Sequence, residues 1–371
     1  PVIMTLLPEP SMAARRRTIL LLTRREDGTV ERLTVSRYGM GDFYEAAWDP
    51  DKEEQWACLA RLVRERNPKV IGINVSSTFA FGDGLTHAEY VEMTDALGPE
   101  LAARTKGAER LAVGWLERRI SEEIEAYTGI VEIARAIVAE AFSSKVILPG
   151  VTTTEDVVWW MRQKVCDLGL RSWFQPSVSI QAPGLAGRSP GGQGGGPARI
   201  LIQPGDVLHC DFGLVYLGFC TDTQENAYVL KLGECEAPAG LSAAFATGNR
   251  LQDIHLEAMR TGRTGNEILA AALKRAVSEG IQPSVYTHPL GYHGHAAGPT
   301  IGLWDQQGGV PGRGDYELFD DTCHSIELNV RQAVPEWDGQ QVRMALEQDV
   351  AFTGGKPHWL AGRQAELHLI K

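Results

Sequence analysis

Apolar and polar positions change period several times along the chain. Thr18–Thr23 is a short apolar run that predicts a strand. Arg25-Glu-Asp-Gly28 supplies a turn, and Thr29–Arg37 a second strand. Over Asp51–Asn67 the apolar residues Trp56, Leu59, Ala60 and Val63 fall on one helical face. Pro68 stops that helix, and Val70–Val75 reads as a buried strand, which makes a βαβ-like unit. Ser76, Ser77 and Gly82-Asp-Gly84 lack phosphate-loop spacing and read as loop. Between about 104 and 142, Ile120, Ile124, Tyr127, Val131, Ala134, Val138 and Ala141 recur at threes and fours. They predict a long amphipathic helix with Ser121 near its start. Thr152-Thr-Thr-Glu155 opens another helix through Met161 and Val165, with a capping threonine and an acidic first turn.

Residues 183–197 (PGLAGRSPGGQGGGP) predict an exposed loop. It lacks the G-K-[ST] and following helix that a phosphate cradle requires. From 200 onward strands are expected to dominate. A boundary near 118 divides the chain into residues 1–118 and 119–371.

Composition narrows the class. The chain has 371 residues, 43% of them hydrophobic and 22% charged, as in an ordinary globular protein. Lys plus Arg number 36 and Asp plus Glu 47, so the net charge is −11. Such an acidic chain is poorly suited to phosphate neutralisation, which argues against a nucleic-acid partner. No apolar run approaches the ~20 residues that span a bilayer. Six cysteines stand without a C-x-x-C pair, consistent with free thiols; one disulfide between Cys210 and Cys220 across a hairpin is left open. Pro1 implies either a removed methionine or a fragment. In residues 1–17 the basic residues follow the apolar ones, opposite to a signal peptide, so a cytoplasmic location is expected.

Candidate chemistry gathers in the second half. Gly205-Asp-Val-Leu-His-Cys-Asp-Phe-Gly213 and Phe219–Leu230 read as two strands around a turn at Tyr216–Gly218. Asp211 and Asp222 would then face each other across the hairpin, where two buried carboxylates repel. A divalent cation between them removes that cost; otherwise one Asp is exposed or the pairing slips. His288-Pro-Leu-Gly-Tyr-His-Gly-His-Ala-Ala-Gly298 is rich in His and Gly. Ser325–Val330 and Leu346–Phe352 place Glu327 and Glu347 on the polar faces of alternating strands. Two Asp, two Glu and a His form a hard-ligand set suited to Mn, Fe, Co or Zn and to a two-metal hydrolase.

These residues carry a family resemblance. From about 119 to 371 the chain resembles the superfamily of methionine aminopeptidase, prolidase, aminopeptidase P and creatinase. The resemblance rests on Asp211 in H-C-D-F-G, Asp222 eleven positions on, His295 in G-H-A-A-G, Glu327 in S-I-E-L-N and Glu347 in L-E-Q-D-V. It implies an α+β protein with a C-terminal pita-bread domain, a curved and mainly antiparallel sheet with flanking helices. More weakly, residues 1–118 resemble the smaller N-terminal α/β domain of the creatinase/prolidase branch, short by its first strands. By resemblance, Asp222 and Glu347 bridge two divalent ions, Mn foremost, with Co, Zn or Fe as alternatives. Asp211 would complete one ion, and His295 and Glu327 the other. A metal-bridging hydroxide would attack an Xaa-Pro peptide bond, with Glu327 moving its proton. The implied substrate is a peptide with proline second, and the implied assembly a homodimer.

The chain departs from the family at two substrate-facing histidines. Trp304 occupies the usual position of one, after a Pro299-Thr300 insertion, and is a candidate pocket wall. The Gly-rich loop that should carry the other has no His, although Arg188 or Gln181 is near in sequence. His293, His288 and His209 are the candidate substitutes. His293 shares an extended face with His295 and stands as the catalytic candidate or, if the alignment slips, as the ligand. His288 is assigned to substrate binding, and His209 to structural hydrogen bonding. Trp159, Trp160, Trp173 and Trp337 are assigned to packing. The missing pair keeps two other readings open: a non-peptide hydrolase or lyase on the same scaffold, and a peptide-binding pseudoenzyme.

Overall fold

The computed structural model describes residues 5–6, 17–184 and 199–371. The chain divides into two compact units, Pro1–Leu116 and Glu117–Lys371.

In the first unit β1 (Ile19–Arg24) and β2 (Val30–Val35) form a hairpin, and β3 (Glu45–Ala46) runs parallel to β2. Helix α1 (Gln55–Arg66) ends at Asn67 in the left-handed conformation, just before Pro68. β4 (Ile71–Ile73) pairs in parallel with β5 (Thr105–Gly107) across α2 (His87–Ala102). Leu59, Ala60 and Val63 of α1 pack on Met93, Leu97 and Leu101 of α2. The spacing predicts α1 and β4, but the predicted βαβ unit does not close: β2 and β4 lie in separate sheets, and β4 pairs instead with β5 beyond α2. Helix α3 (Glu109–Glu117) follows.

The second unit opens with α4 (Ser121–Ala141) and α5 (Thr154–Asp167), and Thr153 and Asp156 form the expected capping box of α5. β6 (Arg171–Ser172), β7 (Ser177–Gln181), β8 (Val207–Phe212), β9 (Leu214–Tyr216), β10 (Phe219–Cys220) and β11 (Thr223–Val229) come next. Two helices, α6 (Ala239–Ala258) and α7 (Gly265–Ser278), then interrupt the region expected to be strand-dominated. Their apolar stripes include many small residues: Ala244, Gly248 and Ala258 on α6, Ala272 and Ala276 on α7. Small residues weaken the hydrophobic periodicity but allow close packing. A Cβ on Gly248 would meet Leu346 Cδ1 at 2.3 Å. The chain finishes with β12 (Pro283–Leu290), β13 (Thr322–Val334), β14 (Gln340–Thr353), β15 (Lys356–Trp359) and β16 (His368–Ile370).

The main sheet runs β12-β13-β14-β11-β8-β7, with β15 on β14 and β16 in parallel on β11. All its other pairings are antiparallel. Two apolar layers cover one face. Ile326, Leu328, Val330, Met344 and Leu346 pack with α6 and α7. Val178, Ile180, Leu208, Cys210, Phe212 and Ala227 pack with α4 and α5. Because side chains alternate along a strand, the neighbouring residues turn to the opposite, polar face. This is the expected α+β, pita-bread architecture. All six cysteines are free, Cys210 standing opposite Glu225, so no disulfide forms across the hairpin. No helix among the described residues is long and apolar enough to cross a membrane.

Candidate metal centre

Strand register builds the site. Tyr286 lies opposite Glu327, Glu327 opposite Glu347, Glu347 opposite Gln224, and Gln224 opposite Asp211. The row therefore crosses β12, β13, β14, β11 and β8 on the polar face. His288 is two residues along β12, on the same face as Tyr286.

Asp211 and Asp222 are not cross-strand partners. The turn centres on Leu217 and Gly218, both at positive φ (51° and 83°), so Asp211 pairs with Gln224. Asp222 lies in a break between β10 and β11, two positions short of that pairing. A two-residue offset preserves the face, so both carboxylates still reach one pit.

Three overlapping groups have ligand atoms within 4.8 Å of one another: Asp211, Asp222 and Glu347; His288, Glu327 and Glu347; and Asp222, His288 and His295. His288 Nε2 lies 3.3 Å from Glu347 Oε1 and 3.6 Å from Asp222 Oδ2. The structure thus seats His288 among the carboxylates, although the sequence places it at the substrate. His295 is more exposed and reaches only Asp222 and His288 within these groups. His293 is half-buried and belongs to none of them.

Ser325, Gln224 and Asp349, which the sequence does not single out, and His209, which it does, hold this set in place. Ser325 Oγ donates to Glu347 Oε1 at 2.7 Å. Gln224 Nε2 donates to Glu327 Oε1 at 2.8 Å and to Glu347 Oε2 at 2.7 Å. His209, expected to have a hydrogen-bonding role, lies 2.8 Å from Gln224 Oε1. The backbone N–H of Asp222 donates to Asp349 Oδ2 at 3.2 Å. The period-two pattern that exposes Glu327 and Glu347 also marks Ser325 and Asp349 as face-sharing neighbours.

Burial lifts the Asp211, Asp222 and Glu327 carboxyls well above their ordinary range, and the neighbouring Glu347 adds to each shift. Burial also pushes Glu347 up to about 7. The imidazoles of His288 and His295 are pushed down to about 4, again chiefly by burial, which leaves each neutral with a nitrogen lone pair. Asp211 Oδ1 and Asp222 Oδ1 are buried with no hydrogen-bond partner among the described residues. Clustered carboxylates with orphaned oxygens beside neutral imidazoles fit a divalent cation of the Mn, Co, Zn or Fe type.

Aromatic groups line the same region. The Trp173 ring meets His295 edge-on at 5.3 Å, and Tyr286 lies 5.8 Å from Trp304. Trp173 packs over Gly213 and Gly294, where an added Cβ would meet it at 2.2 Å in both cases. Trp173 is therefore part of the site wall as well as packing. The Arg343 guanidinium lies over the Trp304 ring at 5.2 Å, feels Glu327 and Asp211, and forms no ion pair among the described residues. Gln181 is committed elsewhere, bonding the Arg343 backbone. Arg188 lies outside the described residues.

Residues 125–353 match the sequence profile of metallopeptidase family M24. The chain belongs to that family. Its pita-bread fold is that of the prolidase, aminopeptidase P and creatinase branch. Among solved structures, an X-Pro aminopeptidase from Thermotoga maritima superposes with a TM-score of 0.61 at 16% identity, covering 88% of this chain and 82% of that one. An Xaa-Pro dipeptidase from Bacillus anthracis gives 0.59 at 19% identity, covering 98% and 93%. A Mycoplasma pneumoniae protein, named provisionally as an Xaa-Pro aminopeptidase, is 27% identical over 186 residues. That alignment covers 50% of this chain and 47% of the relative; a Mycoplasma genitalium counterpart is covered over 39% of its length. The chain thus aligns with less than half the length of these curated relatives. The M24 match embraces all six residues of the three candidate groups, from Asp211 to Glu347.

Proposed function

We propose that this M24 protein is a metal-dependent peptidase cleaving the Xaa-Pro bond of short peptides. The observation that carries the proposal is the convergence of three buried carboxylates, the half-buried Asp211 and two neutral imidazoles in one aromatic-walled site. Asp211, Asp222 and Glu347 would hold one divalent ion, Glu347, Glu327 and an imidazole the second. The family resemblance gives that imidazole to His295; His288 sits within reach of both glutamates and competes for the role. When bound, such ions supply Lewis acidity and an acidified water. Glu327 keeps one oxygen beyond its bond from Gln224, which suits it to hold and pass the proton that must reach the leaving amine. Trp304, Tyr286 and Trp173 offer apolar faces to a prolyl ring and keep bulk water away. His293, expected to be catalytic, would act from the pit's edge. Mn is the proposed metal and a homodimer the proposed assembly. Residues 1–118 are proposed to be the creatinase-type N-terminal domain.

The test is hydrolysis of an Xaa-Pro dipeptide and an Xaa-Pro-containing tripeptide, with chelated protein and with added Mn(II), recording metal content on the same samples. The expected result is Mn-dependent cleavage that chelation abolishes. Metal-loaded protein that cuts neither peptide would move the assignment to a non-peptide substrate, a reading favoured by Trp304 at the position of a usual histidine.

Arg343 gives this proposal a finer expectation. An unpaired guanidinium beside the pit is suited to the free carboxylate of a dipeptide. Arg343→Met is expected to raise the dipeptide KM by about 10-fold or more, as for a lost charge-assisted hydrogen bond, and to change tripeptide turnover less. Equal effects on both peptides in steady-state assays would refute carboxylate recognition.

A further inference from the structure

We propose that Gln224 is the residue that positions Glu327 and Glu347 for metal binding, with His209 supporting the sense of its amide. The inference rests on the metal-dependent reading above but not on the identity of the substrate. Gln224 stands in the centre of the carboxylate row, opposite Asp211 on one side and Glu347 on the other. Its single NH2 group serves two acceptors, Glu327 Oε1 and Glu347 Oε2. A hydroxyl has one proton and could not bond both at once. A lysine or arginine could, but would place a positive charge where a dication must bind. A primary amide supplies two donors without net charge, so both carboxylates keep their full negative charge for the metal.

The arrangement has one favourable sense. With the amide turned over, its oxygen would face two carboxylate oxygens. The two carboxylates set that sense, and His209 supports it in the tautomer that carries its proton on Nε2, which lies 2.8 Å from Gln224 Oε1 and then donates to it. His209 is itself two residues from Asp211 on β8, on the same face. One hydrogen-bonded chain, His209 to Gln224 to the two glutamates, thus ties β8, β11, β13 and β14 to a common ligand geometry. Outer partners of this kind orient ligands and set affinity.

The experiment is titration of the full-length, chelator-stripped protein with Mn(II), followed by calorimetry, and with Co(II), followed by its visible absorption. Gln224→Met keeps the length and removes both donors. It is expected to weaken Mn(II) binding about 10- to 100-fold and to change the Co(II) spectrum, with the circular dichroism spectrum retained. His209→Ala frees the amide to turn and is expected to give a smaller loss, which His209→Gln, restoring a donor, partly recovers. The double variant Gln224→Met with His209→Ala should be no weaker than Gln224→Met alone, since both act through one chain. Wild-type affinity and spectrum in a folded Gln224→Met protein would overturn the proposal. So would a wild-type protein that takes up neither metal. Wild-type protein that binds Mn(II) but cuts no Xaa-Pro peptide would refute the peptidase assignment and leave this one standing.

Discussion

Replacing Glu347 with alanine is expected to lower Xaa-Pro hydrolysis by at least about 10³-fold, equivalent to about 4 kcal/mol of transition-state stabilisation. Glu347 belongs to two of the three candidate ligand groups and receives hydrogen bonds from Ser325 and Gln224. Losing it removes a ligand from both proposed ions at once. Metal content should fall along with activity. Stability of the metal-free protein should move the other way. Glu347 is fully buried among Asp211, Asp222 and Glu327, and its removal relieves each of them of a repulsive neighbour. The decisive pattern is a melting temperature for chelated Glu347→Ala at or above that of chelated wild type, alongside lost turnover and lost metal. A variant that keeps wild-type turnover removes Glu347 from the site.

Metal removal is expected to turn the pH dependence of stability into that of a molecule with buried acids. The Glu347 carboxyl, ordinarily near 4.5, is raised to about 7 by burial, and Asp211, Asp222 and Glu327 are raised well above their usual range by burial and by Glu347. A raised carboxyl binds its proton more tightly in the folded chain than in the unfolded one. Its contribution is complete below the unfolded pKa and is lost as pH rises through the folded value. The chelated protein should therefore lose on the order of 5 °C or more in melting temperature between pH 5 and pH 8. The Mn-loaded protein should show the opposite trend over the same window, because ligand deprotonation favours metal binding. Calorimetric scans of both forms across that range test this. Parallel profiles would mean that the carboxylates are not coupled to metal.

How far the sequence could be read depends on which physical signal each feature leaves. Glu327 and Glu347 were legible because period-two alternation turns a lone acid in an apolar strand to the face opposite the core. Asp211 and Asp222 were legible as a pair, although their register was not. Tyr216 to Gly218 located the turn only to within a residue, and Asp211 proved to face Gln224. The shared face survived because the error was an even number of residues. Helices α6 and α7 were missed because Ala and Gly form much of their buried stripe. Spacing from a motif says nothing of depth, so the sequence points His288 to the substrate, and only the β12–β13 register brings it beside Glu347. Gln224 left no signal at all. A single amide in a strand is ordinary until the strands on both sides of it are known.

The row of site residues is also a record of how the sheet must assemble. β8 and β11 pair through a short hairpin connection, and β13 and β14 through another. Each can form early, since closing a short loop costs little entropy. The pairing between β11 and β14 joins residues 123 positions apart, Gln224 and Glu347, and such long-range contacts form late. Asp211 and Asp222 lie on one side of that seam, Glu327 and Glu347 on the other. An ion held by both pairs of acids would therefore be a stitch across a long-range, late-forming join of the sheet. Amide protons along β11 and β14 should exchange faster when the stitch is removed, while those within either hairpin change less.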